Sequence, residues 1–358
     1  MTIVALEVDP PMRMVGIVLD PTNSAERIGA FADYMRHDLP DFDGWLARVR
    51  GRLGGLYPAT ILPAHDAASF HAALAEAEVA VIEALRFGPA ELDAAPKLRV
   101  VQQFGLDARN IDHAACAARG VAVRTQRRRV NVGVAEHSIA LLMGLAKRIE
   151  AIGNIVTNPD LERRGFHPTR YDTRHTAANN WGRVTGLRLL LGSTLGLIGF
   201  GEIGREAARI ANGIGMRVLV HQRTPISPDE QKRLGIATAS FEQTLAESDF
   251  ISLHVPGSQK DLIDAAAIAR MKPGALLINT ARAQVVNRDA LMAALHSGHL
   301  GGAAFDTLYA EPMLPDDALL SCPNILLTPH LAGGSRQNGL ADIEEMLTGI
   351  AAALGHVN

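Results

Sequence analysis

The sequence predicts an α/β protein made of two domains, each a parallel sheet flanked by helices, with a cleft between them. The chain has 358 residues, which exceeds the length at which a single hydrophobic core stops growing. Apolar residues make up 47% of the chain and charged residues 20%, the balance of an ordinary globular protein. Short β-rich runs alternate with helical stretches along most of the sequence, a pattern typical of parallel strands joined by helices.

The first half of the chain begins with less regular elements and then alternates regularly. Residues 15–19 are predicted to form a strand that ends in a turn at Asp20-Pro21, and a helix follows to about His37. The section from there to Pro63 is punctuated by glycine and proline, so no regular element is predicted in it. The alternation continues with a helix at 67–77, a strand at 79–82, a helix at 91–95, a strand at 98–102, a helix at 112–119 and a strand at 121–124.

The second half contains the longest helical pattern and one irregular segment. Residues 134–152 carry apolar side chains at helical spacing and are predicted to form one helix. Residues 158–186 are rich in Arg, Thr, Asn and His and show no sustained period. A segment of this length without regular structure usually serves as a lid or a subunit arm. The strand–helix alternation resumes over 194–328, and 334–354 is predicted to be a closing helix.

Composition and charge exclude several classes of protein. The formal net charge of −3 gives no reason to expect a nucleic-acid partner. The two cysteines, Cys116 and Cys322, have no paired spacing, so neither a disulfide framework nor a metal site is expected. The first residues include Glu7 and Asp9 and lack the basic start of a signal peptide, and no apolar run reaches the roughly 20 residues of a membrane span. We therefore expect a cytoplasmic protein with no membrane partner.

A glycine pattern indicates a dinucleotide site. Gly199, Gly201 and Gly204 form a G-x-G-x-x-G between a predicted strand and a predicted helix. In such a turn the first glycine permits the sharp bend, the second lets the backbone approach a pyrophosphate, and the third lets helix and strand pack closely. Glu202 and Ile203 open the helix, whose first amides would donate to the phosphates. The alternative is a glycine-rich turn without a ligand, and the flanking strand and helix favour the nucleotide.

The end of the next predicted strand indicates which dinucleotide is bound. An acidic residue usually holds the ribose hydroxyls at this position, whereas this chain has Gln222, Arg223 and Thr224. A neutral amide beside a guanidinium and a hydroxyl could bind a 2′-phosphate, which a carboxylate would repel. We therefore expect NADP(H) to be favoured over NAD(H), the alternative being that Arg223 is an ordinary solvated loop residue.

Three further strand ends carry polar residues suited to carbonyl chemistry. Arg282 follows one predicted strand, Asp306 follows a second whose loop runs on to Glu311, and His330 follows a third. The carboxyl ends of strands border the ligand crevice in an open α/β sheet. Each residue alone could be a solvated loop side chain. An Arg, a carboxylate and a His together, after a dinucleotide turn, favour a site for an anionic carbonyl substrate.

With these motifs the chain resembles the D-isomer-specific 2-hydroxyacid dehydrogenases, the group that includes phosphoglycerate dehydrogenases and glyoxylate/hydroxypyruvate reductases. The likeness runs from about residue 15 to residue 354 and is strongest over 194–333. The motifs that carry it are the glycine turn at 196–204, the segment 271–282 that ends in Arg282, Thr328-Pro329-His330 with Gly333, and the helix start Val134-Ala135-Glu136-His137.

The resemblance implies two Rossmann-like domains and a set of catalytic roles. Arg282 would bind the substrate carboxylate and polarise the carbonyl at C2. His330 would donate a proton to the carbonyl oxygen while hydride arrives from the nicotinamide, and would take the proton back in the oxidation direction. Glu311 would hold the imidazole and favour its protonated form. The implied reaction interconverts a 2-oxo acid and a D-2-hydroxy acid.

The resemblance also implies which groups surround the cofactor and how the domains are divided. Asp306 would contact the nicotinamide end, with the helix start at Val134 beside it. The other groups implied to line the cofactor are His254, Val255, Pro256, Thr280, Ala281, Arg282, His330 and Gly333. A discontinuous substrate domain would comprise 1–125 and 332–358, and a cofactor domain would comprise 126–331. The helix at 134–152 and the 158–186 arm would lie in a homodimer interface.

Two regions depart from the family pattern and put a standard small substrate in doubt. The loop expected to bind the substrate consists of Gly105, Leu106 and Asp107, and Asp107 stands where the family commonly has glycine. An acid at this position would repel an anionic substrate unless Arg109 pairs with it. The run at 127–129, three consecutive arginines, is either a solvated surface or a source of one side chain that binds a second acidic group of the substrate. We therefore expect a modest preference for a larger or doubly charged 2-oxo acid over glyoxylate.

Two other classes of function remain open at this point. A dinucleotide-sensing binding module related to the family's co-repressors would keep many of the same residues. A phosphite or formate dehydrogenase could use the same scaffold, although Glu311 beside the histidine speaks against formate, for which the family places an amide there.

Overall fold

The computed structural model describes residues 1–356, and the chain divides into two compact units. Unit 1 comprises Met1–Asn131 and the C-terminal segment that begins at Gly334, and unit 2 comprises Val132–Gly333. Each unit is built on a parallel sheet with helices on its faces. The predicted α/β class is thus confirmed.

The sheet of unit 1 has five parallel strands in the order β2-β1-β3-β4-β5. The strands are β1 (Thr2–Glu7), β2 (Ala59–Ala64), β3 (Val79–Ile82), β4 (Val100–Gln103) and β5 (Ala122–Arg124). The helices are α1 (Arg13–Leu19), α2 (Ala25–Met35), α3 (Phe42–Arg52), α4 (Ala67–Leu74), α5 (Pro89–Ala94), α6 (His113–Ala118), the first residues of α7 (Arg129–Ala146), and α15 (Arg336–Ala353). One apolar cluster includes residues of α1, α3 and α15, and another includes residues of α4 to α6.

The N-terminal region differs from the sequence prediction. Residues 15–19 belong to helix α1, and the first strand lies earlier, at Thr2–Glu7. All residues of α1 from Met14 to Leu19 are buried, so the run is apolar on every side and its sequence has no periodicity that separates helix from strand. The section before Pro63, predicted to be irregular, contains α3 and β2. Pro63 is tolerated in β2 because this strand lies at the edge of the sheet.

The sheet of unit 2 has seven parallel strands in the order β12-β11-β10-β9-β6-β7-β8. The strands are β6 (Thr194–Ile198), β7 (Arg217–His221), β8 (Ile236–Thr238), β9 (Phe250–Leu253), β10 (Ala275–Asn279), β11 (Leu300–Phe305) and β12 (Ile325–Leu327). The helices after α7 are α8 (Ile149–Ile152), α9 (Asn158–Arg163), α10 (Glu202–Gly213), α11 (Pro228–Leu234), α12 (Phe241–Glu247), α13 (Ala265–Arg270) and α14 (Arg288–Ser297). The central strands β6, β9 and β10 are buried along their whole length, as expected for a sheet covered on both faces.

The helix predicted at 134–152 begins earlier and is interrupted. Helix α7 starts at Arg129 and ends at Ala146, and Arg148, with a φ of 54°, separates it from α8. The irregular segment predicted at 158–186 contains the short helix α9, and residues 164–186 form neither helix nor strand.

Candidate active site

The glycine turn between β6 and α10 has the backbone that a bound pyrophosphate requires. Gly199 has a φ of 94°, and a Cβ at this position would lie 2.3 Å from the carbonyl oxygen of His254. A Cβ at Gly204 would lie 2.7 Å from the carbonyl oxygen of Gly199, whereas one at Gly201 would meet open space. Gly201 is the residue before α10, so the unobstructed side of the turn faces the first amides of that helix, including Glu202 and Ile203. The turn therefore fits a dinucleotide.

The end of β7 carries the residues expected to select the cofactor. Gln222 follows the last strand residue, His221, and its Nε2 donates to the carbonyl oxygen of Thr224 at 2.5 Å. The side chains of Arg223 and Thr224 are exposed. The tip of this loop thus presents an amide, a guanidinium and a hydroxyl.

The loop after β9 borders the glycine turn. The backbone amide of His254 donates to the carbonyl oxygen of Ile198 at 2.8 Å, and Val255 lies next to Gly199, with Pro256 exposed beyond it. The His254 ring lies 3.0 Å from the Ser252 hydroxyl, and burial lowers the pKa of this imidazole to about 4. His254 is therefore uncharged at neutral pH, which keeps positive charge out of this loop.

The end of β10 is organised by a buried asparagine that the sequence analysis did not single out. Asn279 accepts from the Ala281 amide through Oδ1 at 3.0 Å and donates to the Arg282 carbonyl oxygen through Nδ2 at 2.9 Å. The Thr280 hydroxyl lies 2.7 Å from the Ser138 hydroxyl of α7. A buried amide that satisfies both neighbouring peptides holds the backbone on both sides of Arg282 in one conformation. A polar residue at the end of an apolar strand was the signal that could have identified it.

Arg282 points outward from this loop, beside a glycine in the loop after β9. Its Nη1 donates to the Ala281 carbonyl oxygen at 2.7 Å, and the residue is exposed. A Cβ on Gly257 would lie 2.8 Å from Arg282 Cγ and 3.2 Å from Gln284 Nε2. Gly257 thus makes room for the arginine side chain, and no sequence motif indicated it.

His330 and Glu311 are in direct contact. His330 Nδ1 lies 2.8 Å from Glu311 Oε2, and both side chains are partly exposed, at 46% and 40%. Glu311 Oε1 accepts from the Leu308 amide at 2.9 Å. The hydrogen bond from His330, followed by the one from Leu308 and by the charges of His330 and Arg282, lowers the pKa of Glu311 below its usual value. The carboxylate is therefore ionised and accepts the Nδ1–H of the imidazole.

Asp306, expected to contact the nicotinamide end, is 1% exposed and lies behind the loop that carries His330. Its Oδ1 accepts from the Thr328 hydroxyl at 2.6 Å and from the Leu331 amide at 2.9 Å, and its Oδ2 accepts from the Ala332 amide at 2.9 Å. These bonds make the carboxylate the anchor of the loop. A contact with the cofactor stays a prediction.

The remaining residues expected beside the cofactor lie near one another in unit 2. Gly133 precedes Val134 at the start of the unit 2 part of α7, and a Cβ on it would lie 3.3 Å from the Ala332 carbonyl oxygen. Gly333 is the residue after Ala332 in the chain. Val134 and Gly333 therefore lie on neighbouring segments, and their contact with the cofactor stays a prediction.

The loop expected to bind the substrate lies in unit 1. The carbonyl oxygen of Gly105 accepts from the Gln126 amide at 3.0 Å, and Leu106 is exposed. Asp107 pairs with Arg109, whose Nε donates to Oδ1 at 2.7 Å and to Oδ2 at 3.0 Å. The pairing that the sequence left open is thus formed, and it offsets the charge of the acid.

Two of the three arginines at 127–129 are held by carboxylates of unit 1. Arg128 is 12% exposed, pairs with Glu83 and stacks on the Phe104 ring at 4.2 Å, so a solvated-surface interpretation is wrong for this residue. Arg129 lies 3.1 Å from Asp342 and 2.6 Å from Glu345. Burial, followed by a hydrogen bond that the protonated Glu83 carboxyl donates to Asp9, raises the pKa of Glu83 to about 7.

Two further findings concern metals and membranes. Within residues 1–356, no group of three His, Cys, Asp or Glu side chains is arranged to hold a metal ion. Among the helices of the same described part, none has both the length and the apolar character needed to cross a membrane.

The parallel sheet of unit 2, the glycine turn and the polar strand ends define a nicotinamide-dependent oxidoreductase class. Residues 163–332 match the model of the D-isomer specific 2-hydroxyacid dehydrogenase, NAD binding domain, family. The chain belongs to the D-isomer specific 2-hydroxyacid dehydrogenase family. It is accordingly an NAD(P)-dependent enzyme of 2-oxo and 2-hydroxy acids.

Individual relatives support this assignment. Over 250 residues the chain is 36% identical to a glyoxylate reductase of Korarchaeum cryptofilum, and the aligned region covers 68% of this chain and 70% of that protein. Over 248 residues it is 37% identical to an (S)-sulfolactate dehydrogenase of Chromohalobacter salexigens, covering 68% and 73%. The fold is similar to that of Rhodotorula graminis D-mandelate dehydrogenase, with a TM-score of 0.56 and 23% identity over 98% of this chain and 93% of that one.

Proposed function

We propose that this enzyme reduces a 2-oxo acid to a D-2-hydroxy acid with NADP(H), and that Arg282, Glu311 and His330 carry the chemistry. The observation that carries the proposal is the 2.8 Å contact between His330 Nδ1 and an ionised Glu311, with the charge of Arg282 acting on the same carboxylate. This is a carboxylate-oriented imidazole beside a guanidinium, an arrangement suited to an anionic carbonyl compound.

The proposed mechanism assigns one task to each side chain. Glu311 accepts the Nδ1–H of His330 and so directs Nε2–H toward the carbonyl oxygen of the substrate. Arg282 uses one N–H for the Ala281 carbonyl oxygen, and its remaining donors bind the substrate carboxylate. A nicotinamide cofactor bound in its reduced form would supply the hydride to C2. His330 donates its proton as the oxygen gains charge, and it takes the proton back when the reaction runs toward oxidation.

The decisive experiment is a panel of 2-oxo acids assayed with NADPH and NADH, using Arg282→Ala and His330→Ala as test variants. We expect each variant to lose about 10²–10⁴-fold in kcat/KM while cofactor binding survives, because a positioned proton donor or charge is removed. Arg217→Ala and His296→Ala, both at exposed positions of unit 2, are the matched controls. Near-normal turnover in either test variant would overturn the assignment.

The same panel separates the alternatives. A dinucleotide-sensing co-repressor would bind the cofactor and turn over no 2-oxo acid. Phosphite oxidation is tested in an added arm that contains phosphite and NAD(P)⁺ without any 2-oxo acid, in which phosphite and water would be converted to phosphate as NAD(P)⁺ is reduced to NAD(P)H.

The preference for NADP(H) rests on Gln222, Arg223 and Thr224 at the exposed end of β7. We expect a higher kcat/KM with NADPH than with NADH. The double variant Gln222→Asp/Arg223→Ala should reverse this preference, because a carboxylate repels the 2′-phosphate and accepts from ribose hydroxyls. A higher kcat/KM with NADH in the unmodified enzyme would contradict the proposal.

The substrate proposed is a 2-oxo acid with a single carboxylate, such as glyoxylate, the substrate named for several relatives. Binding of a second anion by Arg128 or Arg129 would take them from Glu83, Asp342 and Glu345. Asp342 is fully buried, and a buried charge without its partner is costly. Arg129→Ala should therefore lower stability and leave the ratio of kcat/KM values for glyoxylate and a dicarboxylic 2-oxo acid unchanged. Substrate binding by Gly105, Leu106 and Asp107 stays a prediction from the resemblance.

We also propose a homodimer in the cytoplasm. Three leucines at alternate positions of one extended segment, Leu187, Leu189 and Leu191, are 49%, 71% and 66% exposed, and Ile149 is exposed as well. A surface of this kind is typical of a covered interface. Leu189→Glu/Leu191→Glu should convert the dimer to a monomer in analytical ultracentrifugation.

The cytoplasmic location is supported by the two cysteines. Cys116 and Cys322 are free and buried, which suits a reducing compartment.

A further inference from the structure

Consecutive residues of α7 contact two of the loops that carry the proposed catalytic side chains. Ser138 lies 2.7 Å from Thr280, two residues before Arg282. The ring of His137 lies on the neighbouring side, with Nε2 3.1 Å from Thr328 Oγ1 and 3.4 Å from Asp306 Oδ1. His137 is largely buried, and its Nε2 faces the loop that carries His330. His137 itself belongs to α7 and not to that loop.

The loop of residues 328–332 depends on Asp306 for its shape. Besides the three bonds to its carboxylate, the Asp306 carbonyl oxygen accepts from the His330 amide at 2.7 Å. His330 has a φ of 52°, in the left-handed region that residues other than glycine rarely adopt. Such a conformation persists only where the surroundings enforce it. The hydrogen bonds to Leu331 and Ala332, on the far side of His330, provide that constraint.

The direction of the hydrogen bonds assigns a task to His137. The Thr328 hydroxyl donates to Asp306 Oδ1, so the lone pairs of its oxygen can only accept. The group that faces this oxygen is His137 Nε2, which must therefore carry the hydrogen and donate it. The imidazole donates to Thr328 and, at the longer distance, to the Asp306 carboxylate, and so it holds both partners in place.

We propose that His137 is a positioning residue that keeps the loop of His330 in its strained conformation through Thr328 and Asp306, without touching the substrate. This inference rests on the proposed function of His330 as the proton donor. Loss of the His137 donor leaves Thr328 and Asp306 able to shift and allows the backbone at His330 to relax toward negative φ. The proton donor would then spend less time at the carbonyl oxygen, so catalysis falls more than binding does.

The experiment compares His137→Leu, which removes the donor, with His137→Gln, which retains an N–H in a side chain of similar reach. We expect His137→Leu to lower kcat at least tenfold, with the dissociation constant for NADPH within twofold of the unmodified enzyme. His137→Gln should recover at least a third of the lost activity on a logarithmic scale. The same substitutions at His296, an exposed histidine of α14, are the matched controls and should leave kcat unchanged.

A second readout needs no substrate and separates this inference from the proposed function. Amide hydrogen exchange of residues 328–332 should be at least tenfold faster in His137→Leu and close to normal in His137→Gln, with exchange in β6 and β9 unaltered as a check on folding. Unchanged exchange and unchanged kcat in His137→Leu would overturn the inference. Faster exchange with no turnover of any 2-oxo acid by the unmodified enzyme would uphold the positioning role and overturn the proposed function instead.

Discussion

The direction of the Arg282 side chain depends on a neighbour that has no side chain. Gly257 lies in the loop after β9, and the nearest atom to a Cβ built on it is Arg282 Cγ, at 2.8 Å. Arg282 can therefore adopt this rotamer only because residue 257 has no side chain. Since misplacement of a binding group by about 1 Å can cost about 10²-fold in rate, this contact should matter for turnover.

We predict that Gly257→Ala lowers kcat/KM for a 2-oxo acid at least tenfold while the affinity for NADPH changes little. The added methyl group must displace Arg282 or Gln284, because the atoms nearest to it belong to these two side chains and not to the glycine turn. Steady-state kinetics and fluorescence titration of NADPH would measure the two effects. Gly213→Ala is the control, because a Cβ there meets open space. Unaltered kcat/KM in Gly257→Ala would mean that Arg282 reaches its working position by another rotamer.

At the scale of elements, the start of α7 is capped by a side chain from α15. The amides of Arg129 and Val130 donate to Asp342 at 2.9 and 3.2 Å, and α7 has no acidic residue in its own first turn. Asp342 is fully buried, and Gln126 donates to its carbonyl oxygen at 3.0 Å. A carboxylate at a helix N-terminus accepts hydrogen bonds from unpaired amides and interacts favourably with the positive end of the helix dipole. One residue of α15 thus sets where α7 begins.

We predict that Asp342→Ala lowers the free energy of unfolding by about 3 kcal/mol, since it removes charge-assisted hydrogen bonds from a buried site. Glu345→Gln removes the other carboxylate that pairs with Arg129, but that pair is half exposed and should contribute under about 1 kcal/mol. Urea denaturation of both variants would measure the difference. Equal destabilisation by the two substitutions would contradict the capping role.

Sequence periodicity predicted regular elements well and the N-terminal region poorly. Strand β3 begins and ends at the residues predicted, and β7 ends as predicted just before Gln222, because a short apolar run next to turn residues indicates a strand clearly. Helix α1 was predicted to be a strand because its buried run shows no polar face. The start of α7 was placed five residues too late, since its cap comes from Asp342, more than 200 positions away in the chain.

At the scale of the whole molecule, the partly buried His254 couples stability to acid. The pKa of this imidazole is about 4 in the folded protein against 6.5 for an unperturbed histidine. Between these pH values the unfolded chain binds a proton that the folded protein does not. Because the unfolded state binds more protons there, stability falls as the pH is lowered from 6.5 toward 4, by about 3 kcal/mol at most from this group.

We predict that His254→Gln flattens this part of the stability curve. The loss of unfolding free energy between pH 6.5 and pH 4.5 should be smaller in the variant than in the unmodified protein, whatever the two stabilities are at neutral pH. Urea midpoints measured across this range provide the comparison, with His71→Gln at an exposed position of α4 as the control. Parallel curves for His254→Gln and the unmodified protein would show that the imidazole is not the coupled group.

Sequence motifs alone were sufficient to predict the fold class, the family and the candidate catalytic residues at the strand ends. Those features are local: a glycine turn lies within six residues, and Arg282, Glu311 and His330 each stand in a short motif next to a strand. A reaction that needs a particular backbone conformation or functional group restricts the residue types at that position, and this restriction is visible as a short motif.

The partners of these residues could be identified only in the folded protein. The contact between His137 and Thr328 joins residues 191 positions apart, that between Gln126 and Asp342 spans 216, and Gly257 meets Arg282 across two strand ends. Arg128 looked like a surface residue in its charge run and is instead buried against Glu83 and Phe104. No local pattern encodes such pairs, because their members are far apart in the chain and become neighbours only in the folded protein, where β11 lies between β10 and β12.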